Sequence, residues 1–270
     1  MFSLNCGGKL KVFDKPIVMG IINATPDSFY AASRKSSIDE ALFTAENMLN
    51  DGAAMLDISG QSTRPGSEKV SAEDEKKRLI PIIQAVHHRF PEAVISADTF
   101  YASAAKEAVI AGATIINDIS GGHADADMLH TAAALHAVYI CMHMKGSPQD
   151  MQQHASYDNV TEETIGYFTE RIAACASAGI HDIIIDPGFG FAKNTAQNFQ
   201  VLANLKAYRI LQKPLLVGIS RKSFIYKTLN ISSQEALNGT TALHAVALLH
   251  GANILRVHDV KEACEAVKLI

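Results

Sequence analysis

Eight short apolar runs, each followed at once by polar, Gly or Pro residues, limit most strongly what this chain can fold into. They are Ile17 to Ile22, Ala53 to Ile58, Ala93 to Ala97, Thr114 to Ile119, Ala137 to Cys141, Asp182 to Ile185, Leu215 to Ile219 and Asn253 to Val257. Successive starts lie from 21 residues apart (Ala93 to Thr114) to 45 (Ala137 to Asp182), room each time for a helix and two loops. Parallel strands need crossovers of that length, whereas hairpins do not. The runs are apolar throughout rather than alternating, as befits strands covered on both faces.

Amphipathic stretches fill the gaps. Ser37 to Leu49 sets Ile38, Ala41, Leu42, Ala45, Met48 and Leu49 on one face, and Ser71-Ala-Glu-Asp-Glu75 opens another helix with a capping Ser and an acidic first turn. Glu162 to Ala178 and Gln234 to Leu249 have the same character, and Gly112, Gly179 and Gly251 mark helix ends shortly before runs. This βαβα repetition suits a closed barrel or an open doubly wound sheet. An open sheet gathers its ligand loops near one switch point, but here nearly every run ends in chemically distinctive residues, and a barrel brings all such ends to one face. The expected fold is therefore α/β, one (β/α)8 TIM barrel forming a single domain over residues 1–270. A short N-terminal hairpin around Asn5-Cys-Gly-Gly8 is expected to cap the opposite end.

Composition narrows the function classes. With 48% hydrophobic and 19% charged residues the chain carries a sizeable core, and a net charge of −4 argues against a nucleic-acid surface, which needs clustered Lys and Arg. Cys6, Cys141, Cys175 and Cys264 are far apart and form no Cys-x-x-Cys pair, so they read as reduced core residues of a cytoplasmic protein. No window reaches the roughly 18 apolar residues of a membrane span, and Met1 to Lys15 lacks the apolar stretch of a secretory signal.

The chemistry lies where the runs end. The first is followed by Asn23-Ala-Thr-Pro-Asp27 and the second by Ser59-Gly-Gln-Ser-Thr-Arg-Pro-Gly66, whose hydroxyls, backbone donors and guanidinium suit a phosphate. Read alone, Asn23 is equally a turn-former and Asp27 a helix cap. Asp98, Asn117 and Asp186 close the third, fourth and sixth runs. Together they offer acceptors and one amide to a flat heterocycle with amino and ring N–H donors, or else an internal network satisfied by backbone amides. Ser220-Arg221-Lys222 and Arg256-Val-His258 end the last two runs, where barrels often bind phosphate, so two arginines, a lysine and a histidine are expected to meet a di-anion. Asn23-Ala-Thr25 replaces the His-x-His of metal-dependent barrel hydrolases, no Gly-x-Ser-x-Gly elbow occurs, and Gly188-Phe-Gly190 lacks the third glycine of a dinucleotide fingerprint. His87, His88, His130 and His244 fall in helical stretches and receive no role.

Met19-Gly-Ile-Ile-Asn-Ala-Thr-Pro-Asp-Ser-Phe29, Ser62-Thr-Arg-Pro-Gly66, Asp186-Pro-Gly-Phe-Gly-Phe191, Ser220-Arg-Lys222 and Arg256-Val-His-Asp259 closely resemble the dihydropteroate synthase family, in order and over nearly the whole chain. The resemblance implies a transferase of folate biosynthesis. Such an enzyme condenses 6-hydroxymethyl-7,8-dihydropterin diphosphate with 4-aminobenzoate, giving 7,8-dihydropteroate and diphosphate, and sulfonamides mimic the aminobenzoate. By motif position Asp98, Asn117, Asp186 and Lys222 hold the pterin, and Asn23 reaches a Mg2+ on the diphosphate. Thr63, Arg64, Arg256 and His258 contact the diphosphate. Phe191 and Ser223 shape the aminobenzoate pocket, with Pro65 and mobile loops over it, and Ser220 belongs to the same substrate-binding set. Asp98, Asp186, Lys222, Arg256 and His258 form the catalytic group, and a homodimer is implied. The chain departs from the family's usual pattern with Gln61 for a glutamate, Ala192 for a glycine and Ala97 for a larger aliphatic. A pterin-binding methyltransferase on the same barrel is the alternative enzyme, but it leaves the diphosphate set without purpose. A catalytically silent pterin module would have lost the first two loops or Lys222.

Overall fold

All eight apolar runs form parallel strands, and a hairpin precedes them. The computed structural model describes residues 1–23, 31–61 and 70–270. The hairpin pairs β1 (Phe2–Cys6) with β2 (Lys9–Phe13), antiparallel across Gly7 and Gly8. The strands of the larger sheet are β3 (Ile17–Asn23), β4 (Met55–Ser59), β5 (Val94–Asp98), β6 (Ile115–Asp118), β7 (Val138–Met142), β8 (Ile183–Asp186), β9 (Leu216–Val217) and β10 (Ile254–Val257). Their hydrogen-bonded order is β8-β7-β6-β5-β4-β3-β10-β9, and a parallel bridge between Ile185 and Leu215 joins the two ends into a barrel. The expected TIM barrel with its N-terminal hairpin is the fold found. Strand β9 is shorter than its apolar run because the backbone leaves the ladder at Gly218, which lines the barrel mouth.

The helices are α1 (Ala31–Asn50), α2 (Ala72–Arg89), α3 (Ala102–Ile110), α4 (Met128–Ala134), α5 (Val160–Ala178), α6 (Thr195–Ala203), α7 (Ser223–Leu229), α8 (Leu237–Leu249) and α9 (Val260–Leu269). Capping follows the sequence: the Ser71 hydroxyl accepts from the Asp74 N–H at 3.2 Å at the start of α2, and Gly179 ends α5 in the left-handed conformation. On α1, Ala41, Ala45 and Met48 are buried, as the expected apolar face requires.

The period of two along a strand divides the core into two bodies. Outward residues such as Leu56, Ile58, Ile95, Ala97, Ile116, Tyr139, Ile183 and Leu255 pack with the helices. Inward residues Met19, Met55, Val94, Ile115, Val138, Ile184, Leu216 and Ile254 form an apolar plug inside the barrel. Leu4 and Cys6 of the hairpin join that plug, so the hairpin closes the end of the barrel at which the strands begin.

Candidate active site

The register that fills the plug also builds the mouth. Two positions beyond Met55, Val94, Ile115, Ile184 and Ile254 stand Asp57, Ser96, Asn117, Asp186 and Arg256, which the alternation turns inward as a polar layer on the apolar one. Asp98 follows one layer higher on β5. Above the plug a space of about 300 Å³ is bounded by Asp98, Asn117, Ile119, Met142, Asp186, Phe191, Gly218, Lys222 and Arg256.

Arg256 lies between two buried carboxylates. Its Nε donates to Asp57 Oδ2 at 2.5 Å and its Nη2 to Asp98 Oδ2 at 2.8 Å. Asn117 Nδ2 donates to the same Asp57 oxygen at 3.1 Å, which leaves the Asn117 carbonyl oxygen as the end of the amide available to a ligand donor. Asp57 Oδ1 is buried without a hydrogen-bond partner among the described residues. Burial raises the Asp98 carboxyl, against the pull of the Arg256 guanidinium that donates to it and with the charge of Asp57 adding to the rise. Burial also works against the Arg256 charge, but Asp57 and Asp98 outweigh it and hold the guanidinium above its ordinary range. One cation shared by two desolvated carboxylates holds the three strands in a fixed relation, because removing any member strands a buried charge.

The facing wall comes from the loop after β8. Asp186 Oδ1 accepts from the Gly188 N–H at 2.8 Å; burial raises this carboxyl, against the pull of that N–H and of Lys222. Lys222 donates from Nζ to the Phe189 carbonyl and stands 4.3 Å from the centre of the Phe191 ring. Burial brings the Lys222 ammonium down to about 8, with Asp186 pulling it up and Arg256 depressing it further. A ligand in this space meets carboxylates and an amide oxygen on one side and a cation beside an aromatic face on the other. That set complements a flat ring with N–H donors along one edge and acceptors along another.

At the rim, Ser220 Oγ accepts from the His258 N–H at 3.2 Å and lies 3.1 Å from His258 Nδ1. Ser223 opens α7 immediately after Lys222. Asn23 ends β3 with an exposed side chain. Thr63, Arg64, Pro65 and Asp27 lie outside the described residues.

One sequence expectation changes here. Arg221 is bound bidentately to Asp259, at 2.8 and 2.9 Å, and donates to the Ser233 and Gln234 carbonyls, so it fastens the strand-end turn instead of meeting an anion. Arg256, placed by the resemblance with the diphosphate group, donates to Asp57 and Asp98 of the floor. The reading of residues omitted Asp57, although a carboxylate two positions after a plug residue is the available signal. It also omitted His143 and Lys193 behind the wall. His244 is buried in α8, consistent with packing.

Among the described residues no three His, Cys, Asp or Glu side chains come together as a metal cluster. The donor set suits Mg2+ nonetheless: this ion keeps several waters and takes most protein and substrate ligands as hard oxygens, and the exposed Asn23 amide supplies one beside the mouth.

A closed barrel with an acceptor-lined slot and a cation at its strand ends defines a class, and the chain belongs to it: the pterin binding enzyme family matches residues 19–258. Within that family the similarity is to dihydropteroate synthases. The Escherichia coli enzyme is 44% identical over 257 residues, 94% of this chain and 90% of that protein. A solved structure of Yersinia pestis dihydropteroate synthase in a sulfonamide drug complex superposes with a TM-score of 0.93 at 40% identity, covering 99% of this chain and 98% of the other. That of the Xanthomonas albilineans enzyme in complex with 7,8-dihydropteroate gives 0.87 at 35% identity, with 99% and 97% covered.

Proposed function

We infer that the chain is a dihydropteroate synthase, joining the pterin methylene of 6-hydroxymethyl-7,8-dihydropterin diphosphate to the amine of 4-aminobenzoate in folate biosynthesis. The observation that carries this reading is the juxtaposition of Asp98, Asn117, Asp186 and Lys222 around one slot, beneath a rim holding Ser220 and His258. The amino and ring N–H groups of the pterin donate to the carboxylates and to the Asn117 carbonyl, while the Lys222 ammonium donates to the acceptor edge.

The aniline amine is a weak nucleophile, so reaction is eased if the methylene carbon–oxygen bond to diphosphate breaks early. The resulting cation is delocalised over the ring, and the buried carboxylates of Asp98 and Asp186 stabilise it electrostatically. The amine nitrogen then bonds to the methylene carbon and gives up a proton. No protein nucleophile takes part. His258 and the loop residues Thr63 and Arg64 hold the departing diphosphate, with Arg256 adding its charge from below. Asn23 would help hold Mg2+, which would supply further neutralisation of the leaving group's charge. Phe191 and Ser223 line the entry of 4-aminobenzoate.

The same reading includes a dimer, for which sedimentation at twice the 29.1 kDa chain mass is the measurement. It also includes a cytoplasmic setting, which the four unpaired, buried cysteines support. No helix among the described residues is long and apolar enough to cross a membrane.

Diphosphate release should require the pterin diphosphate, 4-aminobenzoate and Mg2+ together. Release without 4-aminobenzoate, or none at saturating substrates, would sink the reading.

A further inference from the structure

Behind the wall that carries Asp186 and Phe191 lies a buried lysine whose ammonium hydrogen-bonds no side chain of the mouth. Lys193 is 3% exposed, and its ammonium lies 2.9 Å from His143 Nδ1, 3.2 Å from the Phe191 carbonyl and 3.3 Å from the Gly188 carbonyl. An ammonium has three N–H donors, and here three acceptors meet them. His143 is 2% exposed, directly follows β7 and packs edge-on against Tyr167 with ring centres 4.8 Å apart. Burial, with Lys193 and Lys145 nearby, lowers its imidazole to about 2, so the ring is neutral and Nδ1 accepts.

Asp186 and Phe191 depend on this cation unequally. The Asp186 backbone is held by the barrel, since its carbonyl accepts from the His143 N–H at 2.9 Å within the β7–β8 ladder. Phe191 is five residues further on, past the positive φ of Gly188, and Ala192 after it also has positive φ, at 46°. Gly188 passes so close to the His143 carbonyl that a Cβ there would stand 2.1 Å from the oxygen. The contacts that fix this turn include the Lys193 bonds, the Phe191 N–H to the Gly188 carbonyl at 3.0 Å, the Gly190 N–H to Asn198 at 2.7 Å, Gln152 Nε2 to the Gly190 carbonyl at 3.2 Å and Lys222 Nζ to the Phe189 carbonyl.

We propose that Lys193, seated on His143, is a positioning residue that clamps the 188–191 turn and thereby sets the Phe191 wall of the aminobenzoate subsite, while leaving the pterin floor to the barrel. The assignment rests on the synthase reading for the identity of the second substrate. Lys193→Met should raise the KM for 4-aminobenzoate by about tenfold and change that for the pterin diphosphate by about twofold or less. Hydrogen exchange at Gly190 and Phe191 should accelerate in the substrate-free variant. His143→Asn keeps an acceptor toward Nζ and should stay within about threefold of the wild-type KM, whereas His143→Leu should follow Lys193→Met. The histidine pair carries the test if Lys193→Met fails to fold. Equal rises in both KM values, indistinguishable Asn and Leu variants, or unchanged exchange at Gly190 and Phe191 would overturn the proposal. The exchange measurement needs no substrate, so a wild-type chain that releases no diphosphate would refute the functional reading separately from the clamp.

Discussion

The side chains at the barrel mouth are coupled, so a single substitution reports on more than one of them. Arg256 bonds to both Asp57 and Asp98. Arg256→Ala should therefore weaken binding of diphosphate-free dihydropterin by about tenfold or more, roughly 1.4 kcal/mol, as well as impairing use of the diphosphate. Calorimetry gives the answer, and an unchanged affinity for the diphosphate-free pterin would return Arg256 to the rim. Lys222 makes a second prediction at this scale. Its ammonium, depressed to about 8, is protonated below that pH and loses its proton above it, so pterin affinity should fall as pH rises through about 8. In Lys222→Met the titrating ammonium is gone, and affinity should no longer decline on the alkaline side; a decline as steep as the wild type's would remove Lys222 from pterin binding.

At the scale of the element, the runs and gaps of the sequence located every barrel strand, because strands covered on both faces must be apolar over most of their length. The direction of each strand-end side chain was equally legible: counting in twos from the plug residues separates inward Asn117 from Asp118, which accepts from Tyr139 and the Gly122 N–H on the helix side. What the sequence withheld were contacts between distant segments. Nothing local tells Arg221 that Asp259 awaits it, or Lys193 that His143 does. The acidic start of α2 illustrates the same limit. Glu73, Asp74 and Glu75 read alike as helix-dipole partners, yet Glu75 is fully buried and accepts from Thr99 Oγ1 at 2.9 Å and Gln61 Nε2 at 3.4 Å. The departure at Gln61 thus places an amide donor against a buried acid. Burial raises Glu75 to about 7 despite those donors, so the folded state holds this proton more tightly than the unfolded chain does. Its contribution to stability is full below the unfolded value of 4.5 and is lost as pH rises through about 7. The loss is on the order of 3 kcal/mol. Melting curves should therefore show Glu75→Gln gaining on the wild type between about pH 5 and about pH 8. A gap that stays constant would mean Glu75 is not held protonated.

At the scale of the whole molecule, stability and function occupy opposite ends of the barrel. The hairpin and apolar plug close one end, and the other collects carboxylates, an arginine and a lysine whose burial would be costly without mutual pairing. The central claim is that this paired layer is a floor for a pterin. It is tested most directly by titrating 6-hydroxymethyl-7,8-dihydropterin into the wild-type chain and into Asn117→Ala, which removes the amide oxygen that Asp57 leaves facing the ligand. The account predicts saturable binding to the wild type and a loss of about tenfold or more in the variant, for one buried hydrogen bond. Equal affinity in the two proteins, or no binding to either, would contradict it.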